Sequence, residues 1–177
     1  MEPASQVAAW FERSFDFSFP VELHPNLCTR LRGTPARLEE IVRGRSQEVL
    51  LRKPQQKWSA QEHAGHLLDL EPLWTARAGE FIAGGAQQLT VADLTNQKTR
   101  EANHNAQPLE QILAGFRRAR SALLQRVETA DAALSARTIL HPRLQKPMRL
   151  VDHLYFVAEH DDHHLARIWE LLNAGPD

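Results

Sequence analysis

An all-α chain folded as a four-helix bundle with long connections is what this sequence predicts, and three observations carry the prediction. Ala, Leu, Glu, Gln and Arg dominate its 177 residues, and these types lose little on entering a helix. Tyr occurs once and runs of β-branched residues are short, so strands find little support. Four long stretches repeat apolar residues at helical spacing, separated by connections rich in Pro, Gly and Asn. The length suits one domain over residues 1–177, with a wrap over 1–33 and a bundle over 34–173.

The elements follow in order. Residues 7–15 form a short amphipathic piece, and the segment after it holds Pro20 and Pro25. Thr34 is placed to cap a first helix with Pro35 at its first position, running to about Arg52 with Leu38, Ile41 and Val49 on one side. Ser59-Ala-Gln-Glu62 is a capping-box pattern that opens a second helix to about Ile82. Its apolar face holds Leu67, Leu70, Leu73, Trp74 and Phe81; Pro72 inside it removes one backbone donor, and Gly84-Gly85 stops it. Residues 86–106 are polar and read as a long connection. Pro108 starts a third helix to about Glu128, with Leu109, Leu113, Phe116, Leu123 and Val127 in one stripe. Residues 129–148 hold a short helical piece and the loop HPRLQKP. The last helix, RLVDHLYFVAEHDDHHLARIWELL over 149–172, buries Leu150, Leu154, Val157, Ile168 and Leu171.

Composition excludes several function classes. A net charge of −1 leaves no electrostatic footprint for nucleic acid. The one cysteine, Cys28, excludes an intrachain disulfide and fits a reducing cytoplasm. The N-terminus lacks the basic and apolar regions of a signal peptide, and no apolar run approaches the roughly 20 residues of a membrane span. The expectation is a cytoplasmic protein away from membranes.

The chemistry concentrates in the last helix. Its apolar stripe continues onto Asp161 and His164, and His160 stands four residues before His164. A polar group in a core stripe costs about 1–3 kcal/mol unless something satisfies it. Positions i and i+4 differ by about 40° around a helix, so His160 and His164 aim the same way, as half of a metal site. His66, mid-helix on the side of Leu70 and Leu73, is the best third ligand, with His63 about 60° away. His153 shares the face of His160 but lies roughly 10 Å up the axis. Asp161 or Asp162 can orient an imidazole, and Asp161 can serve as a base; the plain alternative is a salt bridge to a helix arginine. Arg120 falls in the third helix's stripe between Phe116 and Leu123, where a guanidinium needs an anion. That anion is either one of these aspartates or an acidic group on a ligand. Trp58, Trp74 and Trp169 read as packing that can also wall a pocket.

Trp58-Ser59 with His66-Leu67, followed by His160 and His164 in the last helix, resembles the DinB/YfiT-like superfamily over nearly the whole chain. The resemblance implies a four-helix bundle, often a homodimer, in which three histidines hold a divalent ion such as zinc or nickel. Some relatives are thiol-dependent transferases and others are called metal-dependent hydrolases. On that basis the expected function is metal-dependent chemistry on a small molecule, with a low-molecular-weight thiol as co-substrate in an S-transferase. The alternatives are a metal-dependent hydrolase or a non-catalytic metal-binding stress-response protein. Asp161 and Arg120 are the expected catalytic residues. Relatives frequently carry Gln shortly after the second helical histidine, where this chain has Leu165-Ala166-Arg167.

Overall fold

The computed structural model describes residues 7–174. Four long helices, α1 (His24–Val42), α3 (Ala60–Ala83), α5 (Leu109–Val127) and α7 (Leu150–Asn173), are joined through the short helices α2 (Gln47–Leu51), α4 (Gln97–Glu101) and α6 (Ala132–Ser135). A two-stranded antiparallel hairpin, β1 (Thr138–His141) and β2 (Lys146–Arg149), precedes the last helix. None of the described helices is long and apolar enough to cross a membrane.

The four helices form a bundle in which α1 and α3 each pack on both α5 and α7. Thus α1 and α3 stand on one diagonal and α5 and α7 on the other. The chain crosses the bundle twice, between α1 and α3 and between α5 and α7. His66 on α3 therefore faces the neighbour that carries His160 and His164.

Local chemistry sets the helix limits. Ser59 accepts from Glu62 N at 3.1 Å while Glu62 Oε2 accepts from Ser59 N at 2.8 Å, completing the expected capping box of α3. Gly84, at φ +74°, ends that helix. The first helix departs from expectation. It begins at His24, with Pro25 in its first turn, and Pro35 lies in its interior. Residues 24–33, expected in the wrap, thus belong to the bundle. It stops at Val42, because Gly44 at φ +69° turns the chain and Ser46 caps the separate α2. Thr34 caps nothing, and its hydroxyl instead reaches Asp161 Oδ2 at 2.9 Å.

Residues 129–148 also differ from expectation. The short helical piece is α6, but the loop is the turn of the hairpin, whose inward residues Ile139 and Met148 are buried. Leu89 N donates to Leu140 O at 3.0 Å, so the 84–108 connection is stitched to the hairpin edge. Residues 7–23 wrap the outside as expected, with a 3-10 turn at Trp10–Glu12; the first six residues of the expected wrap lie outside the described residues. Arg149 ties the strap down by donating to Phe17 O and Phe19 O.

The core has two apolar clusters stacked along the bundle axis. Leu27, Leu31, Trp74, Phe81, Leu123 and Leu154 belong to one, and Leu38, Leu67, Ile112, Phe116 and Ile168 to the other. Between them each long helix contributes one buried polar residue: Thr34, Glu71, Arg120 and Asp161. Leu165 and Leu172 complete the lower stripe of α7, where Leu171 is only half-buried.

Candidate metal centre

His66, His160 and His164 converge so that one nitrogen of each lies within 4.8 Å of the others, and all three are buried. The Nε2 atoms of His160 and His164 are 3.1 Å apart. Two nitrogens bound at about 2.0–2.1 Å to one tetrahedral ion stand about 3.3 Å apart, so the spacing suits a shared cation.

The tautomer of His66 agrees with that use. Thr99 has a single hydroxyl proton, which it donates to Asp69 Oδ2 at 2.9 Å. Toward His66 Nδ1, 2.9 Å away, the same oxygen must accept, so His66 carries its proton on Nδ1 and keeps Nε2 bare. His104 Nε2 reaches the same Asp69 oxygen at 2.7 Å. Burial pushes the Asp69 carboxyl up, but the hydrogen bonds from His104 and Thr99 outweigh it and hold the group below its ordinary range. The His104 ring lies flat enough on α3 that a Cβ at Gly65 would come within 2.2 Å of it, so only glycine fits there. On the far side, His164 Nδ1 meets His63 Nδ1 at 2.8 Å, which turns the opposite nitrogen, Nε2, toward His160.

Burial keeps these imidazoles neutral, the form that binds metal. It pushes His63 down to about 3, His66 down to about 4 against the pull of Asp69, and His160 and His164 well below the ordinary histidine value. Three tryptophans wall the cluster. Trp58 lies 4.8 Å from the His66 ring, Trp74 5.5 Å from His160, and Trp10, supplied by the strap, 5.0 Å from His160 and edge-on to it. Trp169 is on the outside of α7 and 55% exposed.

All three histidines line a cavity of about 430 Å³, a size suited to a small molecule. His63 is also on its wall, but its Nδ1 is engaged by His164 rather than turned to the three-nitrogen cluster. Asp162 is held away by Arg30 and by Arg37, the latter at 2.7 Å. Asp161 and Arg120 bind each other, and neither lines the cavity.

The sequence profile of the DinB superfamily matches residues 30–168. The chain belongs to the DinB superfamily. Among solved structures the fold is similar to that of YfiT from Bacillus subtilis, described as a probable metal-dependent hydrolase with an unusual four-helix bundle topology. The TM-score is 0.76 at 18% identity, over 90% of this chain and 91% of that one, a likeness that speaks for the fold. No curated protein matches the chain.

Within this DinB bundle, the His160 and His164 pair and the expected third histidine, His66, come together. The polar relay behind His66 (Thr99, Asp69 and His104) went unrecognised in the sequence. Asp69 could have been found, since it stands one helical turn after His66. Thr99 and His104 could not, because they lie in a polar connection with no periodicity to orient them.

Proposed function

We propose that this protein is a divalent-metal-dependent enzyme that turns an external nucleophile on a small-molecule substrate, a hydrolase in the first reading. The observation that carries it is the convergence of three neutral, buried imidazoles on the wall of one cavity, with no fourth protein ligand in the set. Catalytic sites keep such a three-ligand arrangement, whereas structural zinc sites close it with four. An all-imidazole donor set suits zinc or nickel better than magnesium or calcium. When bound, the ion supplies Lewis acidity and lowers the pKa of a coordinated water or thiol.

The chain's own residues do the rest. His66 is fixed by Thr99 and Asp69, and His164 by His63. The tryptophans wall the cavity with apolar surface beside the histidines. Among the described residues no serine, threonine, cysteine, lysine or tyrosine lines the cavity, and its carboxylate, Asp93, is engaged by Thr95 and Gln97, which favours an attacking atom from outside the protein. Cys28 is no substitute: it sits in the apolar core, and burial pushes its thiol up to about 11. The description of YfiT as a probable metal-dependent hydrolase supports water as that nucleophile. Thiol-dependent S-transfer is the second reading, favoured by a wall that is mostly apolar and so suits a weakly hydrated thiolate from a low-molecular-weight thiol. In both readings Asp161 and Arg120 are positioning residues that hold the turn of α7 bearing His160 and His164. A cytoplasmic homodimer is the expected setting.

The test is metal content by plasma mass spectrometry, wild type beside His164→Ala, followed by ester turnover with and without added thiol. About one divalent ion per chain, lost in the variant, together with metal-dependent turnover, supports the proposal. No ion after reconstitution with zinc and nickel overturns it. A bound ion without turnover on any ester or thiol acceptor leaves the non-catalytic metal-binding role in its place.

A further inference from the structure

Away from the histidine cluster, the same cavity is lined by two guanidiniums, Arg77 from α3 and Arg143 from the hairpin turn. Among the described residues, no carboxylate lies within ion-pair distance of either. Asp93, the carboxylate on the cavity wall, is occupied by the backbone of Thr95 and Gln97 and by the Thr95 hydroxyl. Glu80, the acid nearest Arg77 in sequence on α3, accepts from Thr90 instead. Arg77 Nε donates to Thr90 O at 2.9 Å and feels Glu80 at longer range, but neither guanidinium has a carboxylate in contact, and a pair of cations on a mostly apolar wall favours an anionic group on the ligand.

Hydrogen-bond accounting at His141 points the same way. Leu144 N donates to His141 Nδ1 at 3.1 Å, and Arg77 Nη1 lies 3.2 Å from His141 Nε2. Both outside groups are donors, yet an imidazole always carries at least one proton of its own. One bare nitrogen cannot accept from both, so either Leu144 N or Arg77 Nη1 is left without an acceptor there. Arg143 adds another idle donor, because its Nη2 is buried without a hydrogen-bond partner. Among the described residues its guanidinium is held by ring contacts, 5.4 Å from Phe11, 5.7 Å from Phe156 and 5.9 Å from Trp10. An oxyanion held on this wall of the cavity would accept from both guanidiniums.

We propose that Arg77, His141 and Arg143 form a carboxylate-binding subsite, and that the substrate is a small acid with an apolar body. Trp74 has Arg77 at 5.6 Å on one flank and His160 at 5.5 Å on another, so the two ends of the cavity are one ring's breadth apart. The acid group docks on the arginines, the apolar body lies along Trp10 and Trp74, and the reacting bond reaches the three histidines. Only that last clause rests on the metal reading; the subsite stands without it.

The experiment is a tryptophan-fluorescence titration of the full chain with 4-phenylbutyrate and with its neutral amide, 4-phenylbutanamide. The acid is expected to bind at least about tenfold more tightly than the amide, the equivalent of about 1.4 kcal/mol. Arg143→Gln removes that preference, Arg143→Lys retains part of it, and His164→Ala, which cannot assemble the histidine cluster, keeps it. Arg143 makes no ion pair and no hydrogen bond among the described residues, so its variants are expected to melt with the wild type. Equal binding of acid and amide, or no binding of either, overturns the proposal. So does a preference that survives Arg143→Gln and disappears in His164→Ala, since the acid would then sit on the histidines. Loss of the preference in Arg143→Gln and Arg143→Lys alike also overturns it, because charge would not be its cause.

Discussion

The single proton of the Thr99 hydroxyl decides which nitrogen of His66 is free. Given to Asp69, it forces His66 to donate from Nδ1 and leaves Nε2 as the ligand atom. Removing that hydroxyl releases the ring to rotate and to change tautomer, and losses behind a metal ligand typically cost 10–100-fold in affinity. Thr99→Val is therefore expected to weaken zinc binding by about that factor while leaving the helical circular dichroism unchanged. Competition with a chromophoric chelator measures it, and unchanged affinity would remove Thr99 from the site. Helix geometry fixes where i and i+4 point, so spacing paired His160 with His164, while His66 was picked out by its place on the Leu70 and Leu73 side of another helix. Spacing was silent on tautomers, because a ring's proton depends on partners brought by other segments.

At the scale of the helices, Arg120 joins all four long elements. Its Nε and Nη2 donate to Glu71 Oε1 at 3.1 and 2.6 Å, while Nη1 and Nη2 bind the two oxygens of Asp161. Its remaining donor goes from Nη1 to Leu31 O at 3.3 Å. That carbonyl is available because Pro35, four residues on, has no N–H to give it. The proline read as a helix start is thus an interior residue whose missing donor is made good by an arginine from α5. All five guanidinium donors are used, and Thr34 completes the layer through Asp161. Arg120→Met would strand two buried carboxylates, and breaking a buried network in this way costs about 3–5 kcal/mol. Urea unfolding is expected to show a loss of that order, and a loss under 1 kcal/mol would deny the layer its structural role. The sequence marked Arg120 and Asp161 as needing partners, and the bundle supplied each to the other.

Over the whole molecule, stability should follow pH through its buried imidazoles. Burial holds His63, His66 and His153 at about 3 to 4 in the folded protein against 6.5 for an ordinary histidine. Between those values the unfolded chain binds more protons than the native one, so stability is full above pH 6.5 and is lost as pH falls toward 4. Each such histidine contributes a slope of about 1.4 kcal/mol per pH unit in that window. Glu71 works in the other direction. Burial, against the pull of Arg120, raises it from 4.5 to about 7, so its contribution is full below 4.5 and is lost as pH rises through 7. Several histidines against one glutamate leave a net loss in acid. Urea midpoints of metal-stripped protein are expected to fall steadily from pH 6.5 to 4.5, and more steeply in Glu71→Gln. A flat profile would mean that these imidazoles reach water.

Local pattern specified the helices of the bundle, the capping box that starts α3, and the pairing of His160 with His164 on one helix face. These are local properties: periodicity, a cap and an i, i+4 spacing need only the geometry of one helix. It misplaced the start of α1, because Thr34-Pro35 has the form of a helix start and only packing shows the helix passing through it. The hairpin was hidden for a similar reason. Its two strands are four residues each and are stabilised by burying Ile139 and Met148 rather than by their own propensity. Tertiary structure alone decided the diagonal order of the helices, the relay behind His66 and the meeting of Arg77 with His141 and Arg143. Each joins residues far apart in the chain, and no local pattern encodes which distant donor will face which acceptor.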